Sequence, residues 1–264
     1  MDIKHFAAKF VTCGLKKFSN RHKGETCYIF GDGPSVKWFD LSMFKDNLSI
    51  CSGVLPFHND FNKLKAKYFT VAEPWLFMPK VFQPTYLHEY KCVGEKYLKF
   101  IKSSSDKEFF INLSNMPVLS GKNVNYIFRR LPVRGNRTDS LLGKFNLFNG
   151  SFRAPLAIAY YLGFSKVYLV GFDAWTIQPA RNLHWYEKGR GEFFNATNFD
   201  MDFLNILKEV MDIYTISIDG GSKNVKNISY EAYTGKPPVF RENYELLSPH
   251  YLKVLASYTR YKIF

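Results

Sequence analysis

The stretch Gly150-Ser-Phe-Arg-Ala-Pro-Leu-Ala-Ile-Ala-Tyr-Tyr-Leu-Gly163, followed at once by Phe164-Ser-Lys-Val-Tyr-Leu-Val-Gly-Phe-Asp173, decides the fold. The first part is rich in small residues and stops at a glycine, which reads as a short helix ended by a residue that enters the left-handed region at little cost. The second holds an apolar run, Val167 to Val170, ending in Gly-Phe-Asp, as in a strand covered on both faces. A helix feeding such a strand is half of a parallel βαβ layer, so the reading is an α/β fold with a mostly parallel sheet flanked by helices. Ligands of such sheets bind outside the carboxyl ends of the strands, which draws attention to Asp173 and Trp175.

The pattern recurs on either side. Cys27 to Phe30 is apolar and ends in Gly31-Asp-Gly-Pro-Ser35, with Val36, Trp38 and Phe39 as a helix turn behind it. Glycines there admit a phosphate close to the backbone, Pro34 suits a first helical turn, and exposed helix N–H groups favour an anion. Many strand-to-helix turns carry two glycines for geometry alone, and both readings stay open. Apolar runs at 48–57 and 66–73, at Phe109 to Leu113 and at Tyr126 to Phe128 predict further strands, and His88 to Ile101 predicts a helix. Asp200 to Met211 has helical spacing, and Tyr214 to Ile218 is a strand running into Asp219-Gly-Gly-Ser222, a third strand end at the same rim. Trp175 to Phe199, polar and aromatic, reads as a lid. The organisation is thus a basic amphipathic arm over 1–23, a Rossmann-like body over 24–230 with the lid at about 175–199, and a helical tail over 231–264, in which Ser248-Pro249 opens a terminal helix.

The chain has 264 residues, with 36 Lys and Arg against 23 Asp and Glu, for a net charge of +13. A hydrophobic share of 46% excludes a disordered chain, and the basic excess points to anionic partners. An aromatic share of 18% exceeds what a core requires and predicts rings at a cleft or interface. No window reaches the roughly 18 apolar residues of a membrane-spanning helix. Lys4, Lys9, Lys16 and Lys17 interrupt what a signal peptide would need, so a cytoplasmic location is expected. The arm, with Ile3, Phe6, Phe10 and Phe18 on one stripe, either lies on an anionic membrane surface or docks on the body. Cys13, Cys27, Cys51 and Cys92 have no zinc spacing and read as reduced packing residues.

At these residues the chain resembles a family. Gly31-Asp-Gly-Pro-Ser35, Ser151 ahead of Ala157-Ile-Ala-Tyr-Tyr-Leu-Gly163, Val167-Tyr-Leu-Val-Gly-Phe-Asp173 and His184-Trp-Tyr186 resemble, in order, motifs of the bacterial sialyltransferases of glycosyltransferase family 42. They also resemble a wider Rossmann-like set that includes motility accessory factors and pterin pyrophosphokinases. The resemblance spans roughly residues 27 to 222. It implies a GT-A type fold and a CMP-activated sialic acid or related keto-sugar acid as donor, with no metal and no cofactor. Gly31, Asp32 and Gly33 would then sit against the nucleotide, and Pro34 and Ser35 would belong to the same substrate-binding turn. Ser151 would meet the nucleotide or sugar acid, and Gly221 and Ser222 the cytidine loop. Trp175 and Arg181 match by position only, where the family places tyrosines on the leaving phosphate. Two departures stand out: the family has Asn where this chain has Asp32, and near Ser52-Gly53 an expected Asn is absent.

Moving a sugar from a nucleotide requires a base, donors for the departing phosphate and a pocket that excludes water. His184, near Tyr186, is the candidate base because an imidazole titrates near neutral pH; alternatively it orders its loop. Arg181, Lys188 and Arg190 are candidate phosphate donors or surface charges. Asp200 and Asp202 have a metal-binding spacing but open a helix, where acidic residues answer the dipole. Asp173 positions a helix terminus or a substrate hydroxyl. The leading expectation is an inverting glycosyltransferase peripheral to the inner face of the membrane, acting on a glycan or glycolipid acceptor. A pyrophosphokinase of the same fold, a non-catalytic accessory protein and a nucleic-acid binder are alternatives; for the last no recognition module is found, so no nucleic acid is expected. A homo-oligomer stays open.

Overall fold

The computed structural model describes residues 13–83, 91–132, 134–147, 151–176, 178–181, 184–194, 197–222, 224–257 and 261–264. Ten strands occur among them: β1 Thr26–Phe30, β2 Leu48–Ser52, β3 Lys65–Val71, β4 Glu108–Asn112, β5 Val124–Ile127, β6 Lys166–Val170, β7 Gln178–Arg181, β8 Glu192–Phe194, β9 Asp212–Ser217 and β10 Lys226–Ser229. Eight form one sheet in the order β10-β9-β6-β1-β2-β3-β4-β5, with parallel pairing on both sides of β1 and between β6 and β9, β9 and β10, β3 and β4, and β4 and β5. The fold is α/β and Rossmann-like, as the 150–173 stretch predicts. From β1 the chain moves outward to β5, then returns at β6 to the other side of β1. The order therefore reverses at β1/β6, the place where open α/β sheets take ligands.

The chain divides into two compact units. The first comprises Met1–Glu25, Lys67–Ser165 and Asp202–Met211; the second comprises Thr26–Ala66, Lys166–Met201 and Asp212–Phe264.

In the first unit β3, β4 and β5 accompany four helices: α1 Lys91–Ser103, α2 Arg137–Leu142, α3 Arg153–Leu162 and α4 Met201–Lys208. Helix α3 is buried from Ala154 to Leu162, which explains its lack of a polar face. It ends at Gly163 with φ 90°, where a side chain would meet the Asn20 backbone. Residues 13–23 dock here, with Phe18 edge-on to Phe110 at 5.1 Å and His22 stacked on Phe164 at 4.8 Å. Docking thus holds for the described part of the arm. It forms a 3-10 helix over Cys13–Phe18, not the α-helix its periodicity predicts. Residues 1–12, with Lys4 and Lys9, lie outside the described residues.

The second unit holds β1, β2, β6, β9 and β10, the antiparallel β7–β8 ribbon inside the predicted lid, and helices α5 Tyr230–Thr234, α6 Asn243–Leu246 and α7 Pro249–Ala256. Ser248 caps α7 as predicted, its Oγ accepting the Tyr251 amide. Tyr28, Phe30, Phe39, Phe44 and Tyr230 are fully buried, and Phe39 stacks on Tyr230 at 4.8 Å. Much of the aromatic excess therefore fills the core. Cys27 and Cys51 are buried, as their packing role requires, and burial pushes the Cys27 thiol pKa up. Among the described residues no helix is long and apolar enough to cross a membrane.

Candidate functional site

The turns that follow β1 and β6 interlock. The Gly31 amide donates to the Val170 carbonyl at 2.9 Å, and the Gly33 amide to the Gly171 carbonyl at 2.9 Å. A Cβ at Gly31 would lie 2.7 Å from the Gly171 carbonyl oxygen, and one at Gly33 would lie 2.5 Å from that same oxygen and 2.4 Å from the Asp173 carboxylate. The neighbouring strand end is thus sufficient reason for both glycines. Asp173, buried, accepts the Ser35 amide at 2.9 Å and fixes the five-residue 3-10 helix Pro34–Trp38. Of the two roles offered for Asp173, it fills that of positioning a helix terminus. The Gly31, Gly33, Ser35 and Val36 amides all have protein acceptors.

Asp32, in the same turn, gathers two other loops. Its carboxylate accepts the Val54 amide at 3.2 Å and the Trp185 indole N–H at 3.0 Å, and its carbonyl accepts the Trp185 amide at 3.1 Å. Burial pushes the Asp32 carboxyl above the ordinary carboxylate range, against the opposing pull of His184 and of the bonds from Trp185 and Val54. Gly53, at φ 61°, presses on the same carboxylate; a Cβ there would lie 1.5 Å from Asp32 Oδ2. The two departures from the family pattern, Asp32 and the missing Asn near Ser52, thus meet in one contact: the carboxylate occupies the space that a side chain at 53 would enter.

The adjacent loop carries His184. Its Nδ1 lies 2.8 Å from Glu187 Oε2, which also accepts the His184 amide at 2.7 Å, while Glu187 Oε1 accepts the Lys262 amide at 3.0 Å. Burial opposes ionisation of Glu187, but the bonds from His184 and Lys262 outweigh it and hold its carboxyl below the ordinary range. A carboxylate at Nδ1 holds the proton there and leaves Nε2 to accept one. The imidazole is 42% exposed, so it can reach a ligand, and it stacks on Tyr186 at 4.9 Å with Tyr261 edge-on at 5.3 Å.

This loop is fastened from a distance. Lys37, fully buried, donates to the Glu187 carbonyl and, at 2.5 Å, to that of Gly189, with Glu242 at 3.6 Å. Burial draws its ammonium pKa down, against Glu242 and Glu187. Asn243 donates to the Tyr186 and Ile263 carbonyls at 3.1 and 3.0 Å. Behind Trp185, at 5.0 Å between rings, sits His58, whose Nδ1 accepts the Asp60 amide while its Nε2 is buried without a hydrogen-bond partner. Burial, with Arg241 adding to it, pushes His58 down to about 3.

The remaining sequence candidates fall as follows. Ser222 pairs with Thr176 in an isolated bridge, which brings Gly221 and Ser222 to the turn after β6, as predicted for a third strand end. Trp175 is 1% exposed and its indole N–H donates to the Phe199 carbonyl at 2.8 Å. Arg181 closes β7 opposite Glu192, and its side chain lies outside the described residues. Tyr186 is buried as the stacking partner of His184. Arg190 lies over the Phe240 ring at 4.5 Å. Ser151 is exposed in the turn before α3 and belongs to the first unit. Sequence reasoning missed Glu187, Lys37, Gly53 and Trp185; the His184-x-x-Glu187 spacing and a lone lysine among Val36, Trp38 and Phe39 were the available signals.

Fold and rim together define an α/β protein of Rossmann type with a polar rim and a histidine–carboxylate pair at the switch point of its sheet. No known family model matches the chain, and no curated protein matches it. Among solved structures, similar ones are the sialyltransferase CstII from Campylobacter jejuni in complex with a substrate analogue, cytidine-5'-monophosphate (15% identity, TM-score 0.44, covering 90% of this chain and 99% of that one), the sialyltransferase CST-II in complex with trisaccharide acceptor and CMP (14%, 0.42, 90% and 100%), and CstII in complex with CMP-3FNeuAc (12%, 0.41, 89% and 99%).

Proposed function

We propose that this rim is a nucleotide-sugar transfer site and that the protein is an inverting, metal-independent glycosyltransferase. The donor in this reading is a CMP-activated sialic acid or related keto-sugar acid, and the acceptor a bacterial surface glycan or glycolipid. The observation that carries it is Trp185, whose backbone and indole N–H groups both bind Asp32 and so set His184 beside the β1/β6 switch point.

His184 Nε2 takes the proton of the acceptor hydroxyl as its oxygen attacks the anomeric carbon. The bond from that carbon to the phosphate oxygen breaks, and its electron pair leaves with CMP. Glu187, a positioning residue, stabilises the imidazolium that forms. Asp32 accepts a nucleoside hydroxyl or amine; as a carboxylate it does not suit phosphate. With the Gly31, Gly33 and Ser35 amides already bonded, phosphate charge falls largely to a side chain, and Arg181 is the assigned cation. The net charge of +13 supports a peripheral position on the anionic inner face of the membrane.

The test is transfer from CMP-N-acetylneuraminic acid, the activated form of the commonest such acid, to an oligosaccharide panel. His184→Ala should lower turnover about 10²- to 10⁴-fold and leave CMP affinity unchanged. Glu187→Gln should lower kcat more than it raises KM and shift the acid limb of the pH profile. Turnover retained in His184→Ala would refute the assignment.

A further inference from the structure

We propose that the cavity beside the C-terminal segment is the acceptor subsite and that it takes a sugar bearing a carboxylate; the acceptor role rests on the transfer reading above. The cavity measures about 300 Å³ and is lined by Lys188, Ala256, Tyr261, Lys262, Ile263 and Phe264, all in the second unit. That volume is at the small end of ligand pockets and suits one substituted sugar ring.

Two observations join it to the histidine. The Tyr261 ring that lines the cavity also meets His184 edge-on. Lys188 follows Glu187 directly, and its amide donates to the Lys262 carbonyl at 2.6 Å, while the Lys262 amide donates to Glu187. The cavity wall and the orienting carboxylate are therefore one hydrogen-bonded piece of backbone.

The lining also sets the ligand class. Two aromatic side chains, Tyr261 and Phe264, offer surfaces for the C–H face of a pyranose. Lys188 and Lys262, both exposed, are lining residues, no lining side chain is acidic, and among the described residues neither lysine has a carboxylate partner. A ligand carboxylate supplies the missing counter-charge through charge-assisted hydrogen bonds, whereas a neutral sugar does not.

The experiment uses the full chain and titrates methyl β-D-glucuronide against its neutral counterpart, methyl β-D-glucoside, by ligand-observed NMR. The glucuronide should bind about tenfold more tightly. Lys188→Gln and Lys262→Gln should each erase about threefold or more of that preference, and Lys102→Gln, an exposed lysine of α1, none of it. Equal binding of the two glycosides, or lysine variants without effect, overturns the proposal. Repeating the titration with the protein saturated in CMP-3FNeuAc separates donor from acceptor: retained glucuronide binding supports an acceptor subsite, and competitive loss assigns the cavity to the donor's own sugar and overturns the acceptor role. CMP binding without a glucuronide preference refutes this inference alone. A glucuronide preference without CMP binding refutes the transfer reading and leaves an acidic-sugar site.

Discussion

The Gly31–Ser35 turn and the His184–Gly189 loop both meet at Asp32, yet they are held in different ways. The turn is closed by its neighbour in the sheet: Gly171 and Asp173 accept its amides and leave no room for side chains. The loop is held from outside, by Lys37, Glu242, Asn243 and the Lys262 amide, at sequence separations from 53 to 152 residues. A turn of the first kind is rigid because backbone meets backbone. A loop of the second kind has an order that depends on a few buried polar side chains, each of which can be removed without touching the sheet.

The largest effect should come from breaking the turn. Gly33→Ala forces a methyl group against a backbone carbonyl that cannot move away, and should cost about 3 kcal/mol or prevent folding. Urea denaturation checks this; a loss below about 1 kcal/mol would show that the interlock is looser than described. Breaking the loop should be milder and local. Lys37→Met leaves two buried carbonyls without a donor and should cost about 2 kcal/mol, with new protease cleavage in 184–189 while the circular dichroism of the fold persists. Cleavage spread over the whole chain would contradict the separation of the two regions.

Acid should act on the loop's support as well. An unfolded His58 takes a proton below about pH 6.5, whereas the folded one, at about 3, does not. The unfolded state then binds more protons, so stability falls as pH drops from 6.5, by ~2 kcal/mol at pH 5. Comparing urea midpoints at pH 7.5 and 5, His58→Phe should lose less than the unaltered protein; equal losses would remove His58 as the cause. The smallest effect concerns Asp32, whose folded pKa is raised by burial. Its contribution is present below the unfolded value and lost as pH rises through the folded one, so its charge is a cost at pH 7. Asp32→Asn should raise the urea midpoint at pH 7, by up to about 1 kcal/mol of unfolding free energy, and flatten the slope of stability against pH above the ordinary carboxylate range. A lowered midpoint would reverse the sign assigned here.

The same contrast explains what could be read from the sequence. Strands β1, β6 and β9 were legible because an apolar run with a glycine exit is a local signal, and so was the rim their ends share. The polar edge strand β10 and the β7–β8 ribbon lack such runs. Position in a motif does not say which way an indole faces; that of Trp175 turns inward to the Phe199 carbonyl. His184 was proposed from the place of His184-Trp-Tyr186 in the order of the family's motifs, with its aromatic neighbours in support. The carboxylate that orients it, and Lys37 beneath it, escaped because their role depends on contacts 75 or more residues away as well as on spacing.

The account stands on the rim being a cytidylate site, and the most direct test is amide hydrogen exchange of the full chain with and without CMP. It predicts protection in the segments holding Asp32, Gly53–Val54 and Trp185, with UMP and ATP giving less. Protection confined to other parts of the chain, or none at saturating CMP, would contradict it.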